Sequence, residues 1–145
     1  MAIGLIGPAI AANEVGTHLS LYQGNCSGHN QNPHPSSTTL AANSPFHIEH
    51  GWVNSNLGFS GNSTNAAFLG PNTFFEVYLD GVQQLSVRDD SVSNSFYIKL
   101  FLTNYANGMT GTHTFLGQWY LDGTFLGQPP GPVFQLACAL TVSFQ

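Results

Sequence analysis

Positive charge is almost missing from this chain. Arg88 and Lys99 are its only basic side chains apart from histidine, and Asp and Glu together number seven. A phosphate backbone is held by several Lys or Arg side chains that displace its counterions, so nucleic acid is excluded as a partner. Attraction to anionic lipid fails for the same reason. Charged residues make up 6% of the sequence, against roughly a quarter in an average soluble domain. The surface must therefore be built from Asn, Gln, Ser, Thr and Gly. Such neutral polar surfaces suit secreted and cell-surface β-proteins and self-assembling subunits, because weak charge repulsion opposes association less. The net charge of −5 is still compatible with solubility.

Helix signals are nearly absent too. Gly, Asn, Ser, Thr and Pro punctuate the chain every few residues, and these are poor helix formers. Apolar runs are short. The most continuous is Ala2 to Ala12, AIGLIGPAIAA, which is broken by Gly4, Gly7 and Pro8. It is too short to cross a bilayer as a helix, which takes about 20 residues, and no other stretch is a candidate, so no transmembrane segment is expected. Ala9-Ile10-Ala11 has the small-x-small form that precedes a signal-peptidase cut, but the basic n-region is missing. Residues 1–12 are read as an apolar N-terminal strand or a signal-peptide remnant.

Cysteine is limited to Cys26 and Cys138. Joined, they would close a loop of more than a hundred residues, worth about 4–5 kcal/mol in loop-closure entropy. The competing reading is two unrelated buried thiols. A disulfide fits the extracellular or cell-surface setting that the neutral surface suggests.

What the chain does have is aromatic bulk, with 11 Phe, 5 Tyr and 2 Trp in 145 residues. That is enough for one core in a single domain spanning 1–145. Short alternating runs follow one another: Thr17 to Gln23, Phe46 to Val53, Phe74 to Val87, Phe96 to Thr103, Thr112 to Leu126 and Phe134 to Phe144. Leu19 and Leu21 share a face of the first. Phe75, Val77 and Leu79 oppose Glu76 and Asp80 in the third. In the fourth, Phe96, Ile98, Leu100 and Leu102 are expected inward, with Phe101 outward. Leu136, Cys138, Leu140, Val142 and Phe144 share a face of the last. Asp80-Gly81 is a strong two-residue hairpin signal. Tyr78-Leu79-Asp80-Gly81 recurs as Tyr120-Leu121-Asp122-Gly123, which suggests two matching hairpins. Gly24 to Ser37 reads as a polar surface loop containing Cys26. The whole predicts an all-β fold, a two-sheet antiparallel β-sandwich of immunoglobulin-like or jelly-roll-like form with about seven to nine strands.

The segment Thr112 to Gly123, THTFLGQWYLDG, carries a Trp on an alternating strand that leads into an Asp-Gly turn. In this the second half of the chain resembles the immunoglobulin-like β-sandwich modules of bacterial extracellular proteins. The resemblance implies a binding or structural module, and no activity follows from it. Cys26 departs from an antibody-type Cys…Trp…Cys arrangement, because it falls in the expected loop.

The chemistry-bearing residues are few. Strand alternation places His47 and Glu49 on one face, a spacing that can present two ligands to zinc or copper, and His29 or His34 could complete the set. The alternative is ordinary core-edge or exposed histidines. No Gly-x-Ser-x-Gly elbow occurs, and no glycine-rich loop precedes a helix that could hold a phosphate, so no cofactor is expected. Asp80 and Asp122 are better explained as turn residues than as a catalytic carboxylate pair. Sugars stack on exposed rings, which makes Tyr78, Tyr97, Tyr105, Trp119 and Tyr120 the candidate carbohydrate contacts; the competing placement for each is the core. The sequence thus points to a non-enzymatic extracellular structural or adhesive module. Its partner would be another protein or a second copy, reached by strand addition. A carbohydrate-binding module is the alternative, and a metal-dependent enzyme using His47 and Glu49 is the second alternative.

Overall fold

The computed structural model describes residues 13–23, 25–27, 37–55, 70–92 and 96–145, with the backbone alone at 23, 25, 27, 50–55, 88–92 and 96–100. The run 1–12 lies outside the described residues. Ten strands are present among those described: β1 (Thr17–Leu19), β2 (Asn25–Ser27), β3 (Ser37–Leu40), β4 (Phe46–Ser55), β5 (Phe74–Leu79), β6 (Val82–Gln84), β7 (Arg88–Val92), β8 (Phe96–Tyr105), β9 (Gly111–Asp122) and β10 (Pro132–Phe144). Seven of them have four or more residues; β1, β2 and β6 have three. The smaller sheet has the order β1-β4-β8-β7. The larger has the order β2-β10-β9-β5-β6, and β3 also pairs with β10. Neighbours are antiparallel except β1 with β4 and β3 with β10, which are parallel. The expected all-β sandwich is therefore present, with two short parallel pairings added.

The core lies between the sheets. Phe46, Ile48 and Phe101 come from the smaller sheet; Val77, Phe115, Trp119, Leu136, Cys138, Leu140, Val142 and Phe144 come from the larger. Alternation along β9 and β10 produces this directly. On β10 the even-numbered residues from Leu136 to Phe144 are all buried, as expected, and the odd-numbered ones between them are half-buried. Aromatic rings do much of the filling. Phe46 stacks on Tyr105 at 4.6 Å, meets Phe115 edge-on at 6.3 Å and leans on Phe144 at 5.0 Å.

One cross-sheet row explains several residues together. Val77, Gly117, Cys138 and Cys26 lie side by side on β5, β9, β10 and β2. The two cysteines are directly opposite, Cα to Cα 4.0 Å, and are bonded. Beside them, Gly117 leaves a notch that Leu21 fills, since a Cβ there would stand 2.6 Å from Leu21 Cδ1. Leu21 is fully buried. Truncating it to Ala would open a cavity in this row, at a cost of about 2–5 kcal/mol.

Four local expectations are corrected. Cys26 sits on a strand, β2, and Ser37 opens another, β3; polar composition hid both, because their pairing with β10 comes from tertiary contact. The first run stops as a strand at Leu19 and continues as a 3-10 turn, Leu21–Gln23, which lets Leu21 drop into its notch. On β8 the phase is reversed: Phe101 belongs to the core, with Thr103 and Tyr105 on its face. Leu102 is also buried, on the opposite side of the strand. An almost continuous apolar run carries no alternation from which to read a face. Finally, Asp80-Gly81 forms the expected hairpin but Asp122-Gly123 does not; Asp122 caps a 3-10 turn, Gly123–Leu126.

Candidate functional site

The outward face of the larger sheet gathers side chains that a core has no use for. Strand pairing sets them in rows across β5, β9 and β10. Phe74, Tyr120 and Phe134 form the first row, Glu76, Gln118 and Ala137 the second, and Tyr78, Leu116 and Ala139 the third. Thr114 and Thr141 follow, and beyond them Thr112 and Ser143 are joined by a 3.3 Å hydrogen bond.

The first row is aromatic throughout. Phe74 stacks on Tyr120 at 4.8 Å, and Tyr120 meets Phe134 edge-on at 5.9 Å. Phe134 is 47% exposed. It faces outward because the ladder between β9 and β10 slips by one residue between Phe134 and Leu136. A bulge of this kind turns a side chain to the opposite face. Without it, Phe134 would follow Leu136 into the core.

Beyond the rings lies an open groove of about 640 Å³, lined by Tyr78, Asp80, Gly81, Thr114, Leu116 and Gln118. Tyr78 donates its hydroxyl to Glu76 Oε2 at 3.1 Å, and that bond raises the phenol above its ordinary range. Among the described residues, no side-chain hydrogen bond engages Gln118. At the groove's end, Asp80 accepts from the Thr114 N–H at 2.9 Å and from His113 Nδ1 at 2.6 Å. The other ring nitrogen of His113 lies 2.9 Å from the Thr110 carbonyl. Both nitrogens thus face acceptors, and only the protonated ring can donate to both. The Asp80 bond holds His113 above the usual imidazole range, and the His113 bond holds Asp80 below the usual carboxylate range.

The residues singled out in the sequence fare unequally. Tyr78 and Tyr120 are on this face. Trp119 is not a surface ring: it is 1% exposed and stacks on Phe75 at 3.9 Å inside the core, because it has the inward phase of β9. Tyr105 is half-buried against Phe46 and donates to Gln84 Oε1 at 2.9 Å; burial raises its phenol well above the ordinary range. Tyr97 lies on β8 opposite Asn54 and Val92, and its side chain is outside the described structure. Phe74, Phe134, Glu76 and Gln118 were not found by sequence. Phe74 shares the phase of Glu76 and was readable; Phe134 was not, because nothing local announces the bulge.

His47 and Glu49 do share a strand face, but His47 has a different partner. His47 and Asn104 are cross-strand neighbours on β4 and β8. Together they grip one residue: His47 Nδ1 donates to the Val15 carbonyl at 2.8 Å, and the Val15 N–H donates to Asn104 Oδ1 at 3.1 Å. The His47 ring also stacks on His18 at 5.2 Å, and His18 Nε2 donates to the Glu49 carbonyl at 2.9 Å. This is a clamp on the segment leading into β1. Among the described residues no group of three or more His, Cys, Asp or Glu gathers. His29 and His34 lie outside the described residues. No helix among those residues is long and apolar enough to cross a membrane. No protein family, no curated protein and no solved structure matches this chain.

Proposed function

We propose that the chain is a non-catalytic extracellular adhesive module, a disulfide-bonded β-sandwich that holds a partner surface against the outer face of its larger sheet. The observation that carries this reading is the three-ring row Phe74–Tyr120–Phe134 on adjacent strands, with Phe134 turned outward by a bulge. A bulge that brings an aromatic ring into water sacrifices its burial, and bulges are over-represented at sheet edges and beside active sites, where they re-aim a side chain. The rest of the face supports the same reading: Gln118, Thr114, Thr141, Thr112 and Ser143 are uncharged, and the carboxylates of Glu76 and Asp80 are already bonded by Tyr78, Thr114 and His113, so an uncharged surface can be met with little further desolvation of ions. The cross-linked cysteines support an oxidising, extracellular setting. The immunoglobulin-like resemblance of the second half agrees with a binding role.

The test is adhesion. Beads coated with the protein are presented to surfaces of extracellular polysaccharide, extracellular protein and the chain itself. Tyr120→Ser and Phe134→Ser are expected to abolish most of the adhesion, while Leu85→Ser, at an exposed site elsewhere, leaves it intact. Equal adhesion of all four proteins would overturn the reading.

A further inference from the structure

Resting on that reading of the outer face, we propose that its occupant is a neutral oligosaccharide, lying with a ring over the Phe74–Tyr120–Phe134 row and its hydroxyls in the adjoining groove. A pyranose has one face of C–H groups and a rim of hydroxyls. The C–H face is electropositive and sits well on the electronegative face of an aromatic ring. The hydroxyl rim needs donors and acceptors at short range beside that ring. The sheet provides both in successive rows: the three rings first, then Gln118 between Glu76 and Ala137, then the groove lined by Tyr78, Asp80, Thr114 and Gln118.

Gln118 is the most specific indication. Its half-buried amide has no protein hydrogen-bond partner among the described residues, and its neighbour on β10 is only an alanine. An amide left in this position offers two donors and an acceptor to whatever lies over it.

Charge narrows the class. Among the described residues, the acids of this region are Glu76 and Asp80, and the one nearby cation, His113, is already bonded to Asp80. Nothing among the described side chains remains to neutralise a carboxylate or sulfate on the ligand, so uronic, sialylated and sulfated sugars are disfavoured and neutral hexoses are favoured. Both carboxylates are already engaged by protein donors, Glu76 by the Tyr78 hydroxyl and Asp80 by Thr114 and His113. They are placed for positioning hydroxyls, with no hydrolysis implied. Size narrows it further. Tyr120 and Leu116, which marks the Tyr78 row, are four residues apart on β9, roughly 13 Å along a strand. That length suits a short oligosaccharide segment better than a single ring.

The experiment is calorimetric titration of the full chain with soluble neutral gluco-, manno- and galacto-oligosaccharides, with uronate oligosaccharides as the charged comparison. At least one neutral series is expected to bind and the uronates are not. Tyr120→Ala and Phe134→Ala should each weaken binding roughly tenfold, and Gln118→Ala roughly threefold to tenfold. Leu85→Ala should leave it unchanged, with circular dichroism confirming the fold of each variant. Absence of binding by every neutral series would overturn the proposal, as would binding that is unaltered by Tyr120→Ala and Phe134→Ala. If no sugar binds but bead adhesion is still lost in Phe134→Ser, the glycan assignment falls and the adhesive reading of the face stands. If sugars bind as described while adhesion is indifferent to Phe134→Ser, the glycan site stands and the adhesive reading falls.

Discussion

The same four residues, Tyr-Leu-Asp-Gly, end two strands of one sheet and lead into two different structures. At 78–81, Asp80 takes φ 48° and Gly81 φ 83°, a mirror-image turn that joins β5 to β6 with Leu79 opposite Val82. At 120–123, Asp122 keeps an ordinary φ of −59° and caps a 3-10 turn. The flanks decide. Val82 follows the first copy and continues as strand. Thr124 follows the second, and its N–H and hydroxyl both donate to Asp122 Oδ1, at 2.8 and 2.7 Å. Asp80 has no such local donor and reaches across to Thr114 and His113 instead. One aspartate is a local cap; the other is a cross-strand tie. The strand portions of the two copies behave alike: each Tyr points out and each Leu points in. Because β5 and β9 are antiparallel neighbours, the two tyrosines come to opposite ends of one outer face.

Both turns depend on β9 staying in register between β5 and β10, and the Cys26–Cys138 bond covalently supports that row. Replacing both cysteines with alanine is the severest way to break the comparison. It should lower unfolding free energy by about 4–5 kcal/mol for so long a loop, measured by denaturant melts. A loss below about 1 kcal/mol would mean that the register needs no covalent help.

The two glycines sharpen the contrast next. A Cβ at Gly123 would overlap the Pro129 carbonyl, which is backbone and cannot rotate aside, whereas the space around Gly81 is open. Gly123→Ala should cost about 3 kcal/mol. Gly81→Ala, strained only by its positive φ, should cost about 1 kcal/mol. The reverse order in a melt series would contradict the assignment of the two turns. Asp122→Ala loses both Thr124 bonds and the 3.0 Å bond from Asn72. It should cost about 2 kcal/mol, with Asp122→Asn recovering part of it.

These pairs also show how far the sequence could be read. Alternation was plain on β10 from Leu136 to Phe144, where large apolar residues or cysteine alternate with Ala, Thr or Ser, and the Asp80-Gly81 turn was plain because few dipeptides favour its backbone. The second Asp-Gly looked the same at four residues and differed only through Thr124 and the proline-rich segment behind it. β2 and β3 looked like loop because their sequences are polar and only β10 makes them strands. At the candidate site, Tyr78 and Tyr120 were found from phase alone. Trp119 was assigned outward as a possibility and lies in the core by the same phase. Phe134 required knowledge of a bulge, and the row it completes exists only once three strands are aligned.

The mildest effect should come from pH, and it separates the two aspartates most cleanly. His113 is held above its ordinary range, so its contribution is complete below the unfolded imidazole value and is lost as pH rises through the folded one. Asp80 is held below its ordinary range, so its contribution is complete above the unfolded carboxylate value and is lost as pH falls through the folded one. The tie is therefore complete between roughly pH 4 and 6.5 and fades on either side. Asp80→Asn retains a residue that tolerates positive φ and removes the charge. The melting-temperature difference between wild type and Asp80→Asn should peak inside that window; a difference that is flat with pH would contradict the tie.

The outer face of the larger sheet is read as the partner surface, and hydroxyl-radical footprinting of the adhering protein tests that most directly. The molecule carries a second exposed apolar group, Val82, Leu85 and Val87, where the chain crosses from β6 to β7, and it serves as the internal comparison. Oxidation of Phe134, Tyr120 and Phe74 is expected to fall on binding while Val82, Leu85 and Val87 stay as reactive as in the free protein. Protection of residues 82–87 with Phe134 unchanged would contradict it and move the partner surface to that crossing.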